Sequence, residues 1–437
     1  MEVRGASAAY AVTATPQVPR GYKQTEVGVI LEDWELSNLM SLSAFITKGS
    51  TPTTYGFKWE QSGVLFLRSE CVAENGLDLS QSMFISEAAH ASLRRSGVKQ
   101  GDILITITGY VGRAIIFKNA VEANINQHIA RVRIISPNVS REFIYYMLAQ
   151  PSYRARFNSI TTGQAYPQIS LKQVRETRIP LPPIKAEQEA IAEALSDADA
   201  LIESLEQLLV KKRRVKQGAM QELLTGTRRL PGFSGEWEVK RLGEVAETDP
   251  ENLGSDTRST LTFNYIALED VDVGTLKRYS EQMFRTAPSR ARRKLRMDDI
   301  LVSTVRPNLM SHLLFRFESE RWVCSTGFCV VRCREGAVYP DYVYFHMFAG
   351  GVTRQIDALL TGSNYPAING GDVRGLQIPF PDYEEQMAIA AILSDMDAEV
   401  AALEAKLAKA RAIKQGMMQE LLTGRIRLLS LPDKEAL

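Results

Sequence analysis

QEAIAEALSDADALIESLEQLLVKKRRVKQGAMQELLTG, residues 188–226, returns as QMAIAAILSDMDAEVAALEAKLAKARAIKQGMMQELLTG at residues 386–424, without a gap and at an offset of 198. The copies share AIA, LSD, KQG and QELLTG, a match too long for chance, so the chain carries an internal duplication. Working outward, TGQAYPQISLKQVRETRIPLP from Thr162 answers TGSNYPAINGGDVRGLQIPFP from Thr361, and GDILIT at Gly101 answers DDILVS at Asp298. Each half also opens alike, with EDWELSNL around Trp34 and GEWEVKRL around Trp237. The stretches between opening and close share little. The ends of the halves are common and the middles differ.

The repeated segments read as helices. In the first, Leu195, Ile202, Leu209, Lys216 and Leu223 form one row and Ala198, Leu205, Lys212 and Ala219 the other, a heptad pattern. The second copy keeps it with Leu393, Val400, Leu407, Lys414 and Leu421 beside Met396, Leu403, Ala410 and Met417. A duplicated narrow stripe is best buried by its twin, so the two helices are expected to pair. Their expected core is Leu195, Ile202, Leu205, Leu209, Leu393, Val400, Leu403 and Leu407. Gly226 and Gly424 stand where a C-terminal cap ends a helix, and the prolines of RIPLPP and QIPFPD stop a strand just before each one. About 35 helical residues make a rod of about 50 Å.

The middles carry short apolar runs such as GVLFLR, DILITIT, FNYIAL and FCVVRC, broken by Gly, Asn and Ser, and then a helix, REFIYYMLAQ or DYVYFHMF. Both read as α+β. The predicted class is therefore α+β: two mixed α/β domains alternating with two long helices.

Composition bounds the function. The 437 residues allow about three domains of ordinary size, and 45% hydrophobic with 24% charged residues describes a folded protein. The net charge of +1 excludes action through a global positive field, so any polyanion site is local. Four cysteines, Cys71, Cys324, Cys329 and Cys333, do not frame a disulfide scaffold and suit a reducing cytoplasm. Residues 1–33 hold no apolar core longer than AAYAV and no run of about 18 apolar residues occurs, so neither secretion nor membrane spanning is expected. From Trp34 to Arg178 there are 16 basic and 10 acidic residues, whereas Trp237 to Gln377 has 18 of each. Within that balanced stretch Arg285, Arg290, Arg292, Arg293, Lys294 and Arg296 crowd together, either neutralising phosphates or forming a solvated face.

The sequence lacks most motifs of catalytic chemistry. No two glycines stand two apart, so G-x-G-x-x-G is absent, and there is no G-x-x-x-x-G-K phosphate loop. The one adjacent proline pair, Pro182 and Pro183, lacks the surroundings of an adenine methyltransferase motif. Pro381, Asp382, Glu404 and Lys406 fit a loose nuclease spacing, but Glu404 and Lys406 lie two apart on a heptad helix and face different ways. His90, His128, His312 and His346 are never close in sequence. Cys329, Val331 and Cys333 alternate along an apolar strand and read as core rather than as zinc ligands.

These residues together resemble a specificity subunit of a type I DNA restriction and modification system, and the resemblance covers nearly the whole chain. It is carried by EDWELSNL, ITKGSTP, GDILITITGYVG, TGQAYPQI and LPPIKAEQEAIAEALSDADALIESLE in the first half. In the second half it is carried by LPGFSGEWEVKRLGEV, DDILVSTVRPNL, TGSNYPAI and IPFPDYEEQMAIAAILSDMDAEV. It implies an N-terminal extension (1–33), a target recognition domain (34–182), a helical region (183–226), a linker (227–236), a second recognition domain (237–380), a second helical region (381–424) and a tail (425–437). It also implies a bacterial or archaeal cytoplasmic protein whose helices form an antiparallel coiled coil and dock two methyltransferase subunits. Restriction and translocase subunits would join them on double-stranded DNA. The chain itself would be non-catalytic and hold no cofactor, with S-adenosylmethionine, ATP and Mg on the partner subunits.

Two differing domains on one spacer should read a bipartite, asymmetric target. By that resemblance Lys48, Ser50 and Thr51 in one loop, and Tyr110 and Arg113 in a turn, lie in the first recognition domain, with Thr304, Arg306 and Asn308 in the second. Arg suits guanine edges and Asn or Gln adenine, so Arg68, Arg113, Gln127, Arg306 and Asn308 are the candidate base readers. Arg94, Arg95, Arg285, Arg290, Arg292 and Arg293 complete the candidate DNA-binding set. Tyr166 and Tyr365, in segments common to both halves, are expected to be structural. Two other readings stay open: a stand-alone tandem DNA-binding protein, and a coiled-coil scaffold.

Overall fold

The computed structural model describes residues 18–74, 76–163, 165–318, 321–361 and 366–429. The chain divides into two compact units, residues 1–204 with 407–437 and residues 205–406, so each unit takes one stretch of each long helix. Those helices are Lys185–Leu223 and Tyr383–Leu421. The Asp382 carboxylate accepts from Glu385 N (2.8 Å) to start the second. Gly226 and Gly424 follow the helix ends at φ 71° and 74°, the left-handed cap for which a side chain is a handicap.

In the first unit a four-stranded antiparallel sheet runs in the order Ala114–Ile116, Ile103–Thr106, Ile129–Ile134, Ser43–Lys48. A second sheet runs Met83–Ile85, Val64–Leu67, Ala123–Ile125, Gly97–Val98, with one parallel pair at its centre. The GDILIT stretch is buried on both faces because the strand period of two sends Ile103 and Ile105 to the helices Arg141–Leu148 and Pro151–Ser159. The same period sends Leu104 to the second sheet. A hairpin, Tyr22–Thr25 with Gly28–Leu31, joins this unit from the N-terminal side.

The second unit repeats the design. Its sheets run Leu313–Leu314, Ile300–Ser303, Phe328–Cys333, Ala246–Thr248 and Ser280–Met283, Thr262–Ile266, Trp322–Ser325, Ala291–Lys294. Ile300 and Val302 face one core and Leu301 the other. Cys324 and Cys329 lie in these cores, and burial pushes the Cys329 thiol up to about 11, as suits a packing residue.

Each unit contains antiparallel helix pairing, and the contacts recur at equivalent positions. In the first unit Lys414 Nζ meets Asp199 (2.5 Å), and Leu195 packs with Leu421 and Leu422. In the second, Lys216 pairs with Asp397, Lys212 with Glu399 (2.6 Å) and Arg213 with Glu404 (2.6 Å), while Leu223 packs with Ile389 and Leu393. The lysines that interrupt the apolar rows thus have acidic partners on the opposing helix, which fixes the register. A second recurrent clamp closes the helix ends. Arg229 forks onto the Glu385 carboxylate (2.7 and 2.7 Å), to which Trp237 Nε1 also donates (3.0 Å), and Arg427 bridges Glu187 (2.5 Å) and Asp33 (2.6 Å). In both, the helix begins with the carboxylate that receives the arginine following the other helix.

Two buried histidines make the second unit sensitive to acid. His312 Nδ1 accepts from Ser303 N (3.1 Å) and His346 lies against the Tyr342 ring (4.7 Å between centroids). Burial lowers their pKa values to about 4 and about 3. The unfolded chain protonates both near 6.5, so their contribution is complete above that pH and is lost as pH falls towards 4. At pH 5.5 the loss is about 1.4 kcal/mol for each, about 3 together. Thermal unfolding at pH 7.5 and 5.5 should show this drop, and His346→Leu should roughly halve it. A melting temperature independent of pH would refute the assignment.

Candidate nucleic-acid interface

In the first unit, loops from both sheets converge on one rim. The strand Ser43–Lys48 runs into the loop Lys48–Pro52, where Gly49 N donates to Asn126 O (3.0 Å). A Cβ at Gly49 would stand 1.6 Å from the Ile125 carbonyl oxygen, so only glycine permits this approach. Thr51 Oγ1 donates to Gln127 Oε1 (2.7 Å), and Gln127 Nε2 lies 3.1 Å from His128 Nε2. The His128 ring then meets Tyr166 edge-on (6.4 Å).

The next residue, Pro167, offers its carbonyl to Gly109 N (2.9 Å), and Thr108 bridges Gln168. This leads to the turn that carries Tyr110 and Arg113, with the Arg113 guanidinium 4.1 Å from the Tyr110 ring centroid. Thr106 Oγ1 holds the turn from inside, donating to Tyr110 O and accepting from Arg113 N (3.0 Å). Thr51, Gln127, Tyr110 and Arg113, distant in sequence, therefore form one connected row, with exposed Lys48 and half-buried Ser50 beside Thr51.

The other candidates in this unit make contacts of their own. Arg68 directs Nε and Nη2 to Gln81 O (3.2 and 3.1 Å) and so ties a loop. Arg94 and Arg95 are exposed on a short 3-10 turn, Arg95 over the Phe45 ring (5.2 Å). The charge of Arg113 is partly balanced by Glu74 (4.0 Å). The hydrogen bond from Arg154, followed by the charges of Arg154 and Arg113, holds the Glu74 carboxyl below the usual range.

The second unit builds the same support with a different tip. Val305 bridges Ala367 where Thr108 bridges Gln168, and Arg306 N donates to Pro366 O (2.7 Å) where Gly109 N donates to Pro167 O. Arg306 and Asn308 are exposed on this tip. Thr304 is buried, donating to Gly327 O (2.8 Å), so it supports the turn from within and drops out as a DNA contact.

The arginine crowd is largely neutralised by the fold. Arg293 pairs with Asp249, Arg296 with Glu251 (2.5 Å), Lys294 approaches Glu251 (4.0 Å), and Arg292 lies over Phe284 (4.9 Å). Arg285 and Arg290 remain exposed. Sequence proximity therefore overstated this charge, because the balancing carboxylates arrive from an earlier segment.

Two residues emerge that sequence reasoning passed over. His128 was considered only as a metal ligand, although its position next to Gln127 was the available signal. Tyr166 was assigned to structure because its segment is duplicated, yet its side chain is 64% exposed on the row. Its counterpart Tyr365 lies outside the described residues. Among the described residues no cluster of three His, Cys, Asp or Glu could hold a metal ion, and no helix is long and apolar enough to cross a membrane.

Comparison with known proteins follows the same division. The family described as type I restriction modification DNA specificity domain matches twice, over residues 31–211 and 234–411. Two chains of Methanocaldococcus jannaschii align over nearly their whole length. One is 25% identical over 93% of this chain and 97% of its own; the other, the type I restriction enzyme MjaVIII specificity subunit, is 22% identical over 92% and 94%. Among solved structures, the S subunit of a type I restriction-modification system from M. genitalium superimposes with a TM-score of 0.57 at 16% identity, covering 89% of this chain and 96% of that one. A chain from a study of assembly and conformational transition of a type I system gives 0.52 at 16% identity, covering 91% and 99%.

Proposed function

The chain belongs to the type I restriction modification DNA specificity family, and from that premise we propose that each compact unit reads one half of a two-part, asymmetric DNA target through its variable tip loops. The chain is a DNA-recognition subunit that acts with methyltransferase and restriction subunits and is not itself the catalyst. One observation carries the reading. The two units share strand order, buried supports and helix clamps, yet differ at the tips Gly109–Gly112 and Arg306–Met310, where Tyr110 is exposed in one and Arg306, Asn308 and Leu309 in the other. A scaffold alone gives no reason for supports to be kept while tips diverge; recognition of two different sequences does.

We assign segments 34–182 and 237–380 to recognition and 183–226 and 381–424 to the helical regions. Segments 1–33, 227–236 and 425–437 are the extension, linker and tail. Proposed readers in the first unit are Gln127 and Arg113, with Tyr110, Tyr166 and His128 offering ring faces and Lys48, Ser50 and Thr51 phosphate contacts. In the second unit Arg306 and Asn308 are the readers, and Arg285 and Arg290 face the backbone. Two methyltransferase subunits, carrying S-adenosylmethionine, dock on the helical regions, and cytoplasmic assembly on DNA follows.

The test is to express the chain with its methyltransferase subunit in a host without other modification and map methyladenine genome-wide. A split motif with an unread gap, present only when this chain is supplied, is the expected result. Methylation that is absent or independent of the chain refutes it. DNA binding by the purified assembly should also weaken by about 100-fold or more between about 50 and 200 mM salt, because phosphate contacts release counterions. A flat salt profile would leave no role for the lysine and arginine contacts named above.

A further inference from the structure

The two units differ in charge at one place away from their tips. In the second unit Arg316 pairs with both Asp298 and Asp341, so one guanidinium is held between two carboxylates. Main-chain contacts identify the corresponding residues of the first unit. Gly101 N donates to Phe117 O as Asp298 N donates to Phe315 O (2.8 Å each), and Ser140 N donates to Gln188 Oε1 as Tyr339 N donates to Gln386 Oε1 (2.9 Å each). Gly101 therefore stands for Asp298, Lys118 for Arg316, Arg141 for Pro340 and Glu142 for Asp341. These four positions carry two cations and one carboxylate in the first unit, but one cation and two carboxylates in the second.

In the first unit a cleft of about 240 Å³ lies at this place, lined by Lys118, Arg141, Glu142 and Tyr145 beside Gly101, with Ser196 of the first long helix on its border. The Arg141 guanidinium takes the room that a side chain at 101 would need, since a Cβ there would stand 2.5 Å from Arg141 Nη1. Arg141 Nε also meets Glu142 (2.8 Å), so the one carboxylate of the cleft is already paired. Burial, reinforced by the Asp199 charge, pushes the Tyr145 hydroxyl up to about 12 and keeps it a neutral donor.

Position and size narrow the occupant. The cleft is at the end of the strand Ile103–Thr106 opposite to the turn of Tyr110 and Arg113, so it does not adjoin the recognition row. Small-molecule and cofactor sites run to about 300–1,000 Å³, so this smaller volume suits one side chain. The surplus cation calls for an anion, and the second unit shows which kind, because there the chain supplies a carboxylate at position 298.

We propose that the cleft is a docking socket for an aspartate or glutamate side chain of the methyltransferase subunit that binds the first unit, with Lys118 and Arg141 donating to its carboxylate. This rests on the reading of the chain as a DNA specificity subunit. The second unit supplies that carboxylate itself in Asp298, so the two docked methyltransferase subunits are held unequally, and the one on the first unit has the additional, salt-sensitive contact.

The experiment titrates the full chain with its purified methyltransferase subunit and resolves the two binding steps by calorimetry, for wild type, Lys118→Glu, Lys118→Arg and Gly101→Asp. One of the two affinities should fall about 10- to 100-fold in Lys118→Glu, where a like charge faces the partner's carboxylate, and should hold in Lys118→Arg. Gly101→Asp gives the first unit the carboxylate of the second and should weaken the same step. Carbodiimide condenses an amine with a carboxylate in contact. In the wild-type assembly it should join Lys118 to an aspartate or glutamate of the methyltransferase subunit, read by mass spectrometry of the cross-linked peptides.

A wild-type chain that binds no methyltransferase subunit overturns the specificity reading itself. Two unchanged affinities in Lys118→Glu, or equal losses at both steps, overturn the socket alone, as does a Lys118 cross-link found only within this chain. A Lys118→Glu chain that docks normally but binds non-specific DNA less tightly makes the cleft a phosphate contact and also overturns it.

Discussion

Gly49→Ala should abolish reading of the first half-site, slowing methylation of the target by about 100-fold or more, the loss of two to three good base contacts. The new methyl group would occupy space 1.6 Å from Ile125 O, 2.3 Å from Ile125 C and 2.6 Å from Asn126 O, all backbone atoms with no flexible end to yield. Either the loop Lys48–Pro52 or the turn at Asn126 must move. Both movements break the Gly49–Asn126 hydrogen bond and separate Thr51 from Gln127, so the row loses alignment whichever gives way. Overpacking of this kind costs about 3 kcal/mol of stability. Gly416→Ala is the matched control: nothing lies within 4 Å of a Cβ there, it sits within the second long helix, and alanine should stabilise by about 1 kcal/mol. Thermal unfolding and methylation mapping of the two variants decide it. Gly49→Ala with wild-type melting and an unchanged motif would remove the rim from the recognition surface.

The distribution of legible and hidden features has a physical basis. The long helices were readable because a heptad row is a property of nearby residues, and the duplication made it visible twice. The apolar rows and their glycine ends follow from residues within one segment, and the second copy supplied the partner for the pairing. The identical strand order of the two middles was not readable. Sheet order depends on pairings between segments far apart in the chain, and only GDILIT against DDILVS marked a shared position.

Charge was legible as a count and misleading as a surface. The arginines from Arg285 to Arg296 look like one positive patch, yet Asp249 and Glu251 reach back from an earlier strand end to pair with those at the sheet. The site residues followed the same rule. Lys48, Ser50 and Thr51 could be grouped because they are adjacent, whereas the path from Thr51 through Gln127, His128 and Tyr166 to Tyr110 exists only after folding. Tyr166 shows where the duplication argument is silent, because its ring is exposed although its segment recurs. A segment kept in both halves for backbone support can still carry an exposed ring.

Asp102→Ala should destabilise the first unit by about 4 kcal/mol, because it removes a buried carboxylate from a forked ion pair. Asp102 is 2% exposed and accepts from Arg133 Nε (2.7 Å) and Nη2 (2.6 Å) and from Lys99 N (2.8 Å). Alanine leaves a partly buried guanidinium without its partner and an amide without its acceptor, and the charge is the larger of the two costs. The second unit has the same device in Asp299, with Arg332 (2.8 and 2.7 Å) and Arg296 N (2.7 Å), but Arg332 also holds Glu251 (2.7 Å). Asp299→Ala therefore leaves its arginine one carboxylate and should cost about 1 kcal/mol less. The double variant Asp102→Ala with Arg133→Met removes both charges and should recover most of the loss, since the cost lies in the orphaned partner rather than in the missing pair. Denaturant unfolding of the single and double variants measures this. A double variant as unstable as Asp102→Ala alone would place the cost in the Lys99 turn, and the ion pair would then be incidental to how the GDILIT strand is held beneath the recognition tip.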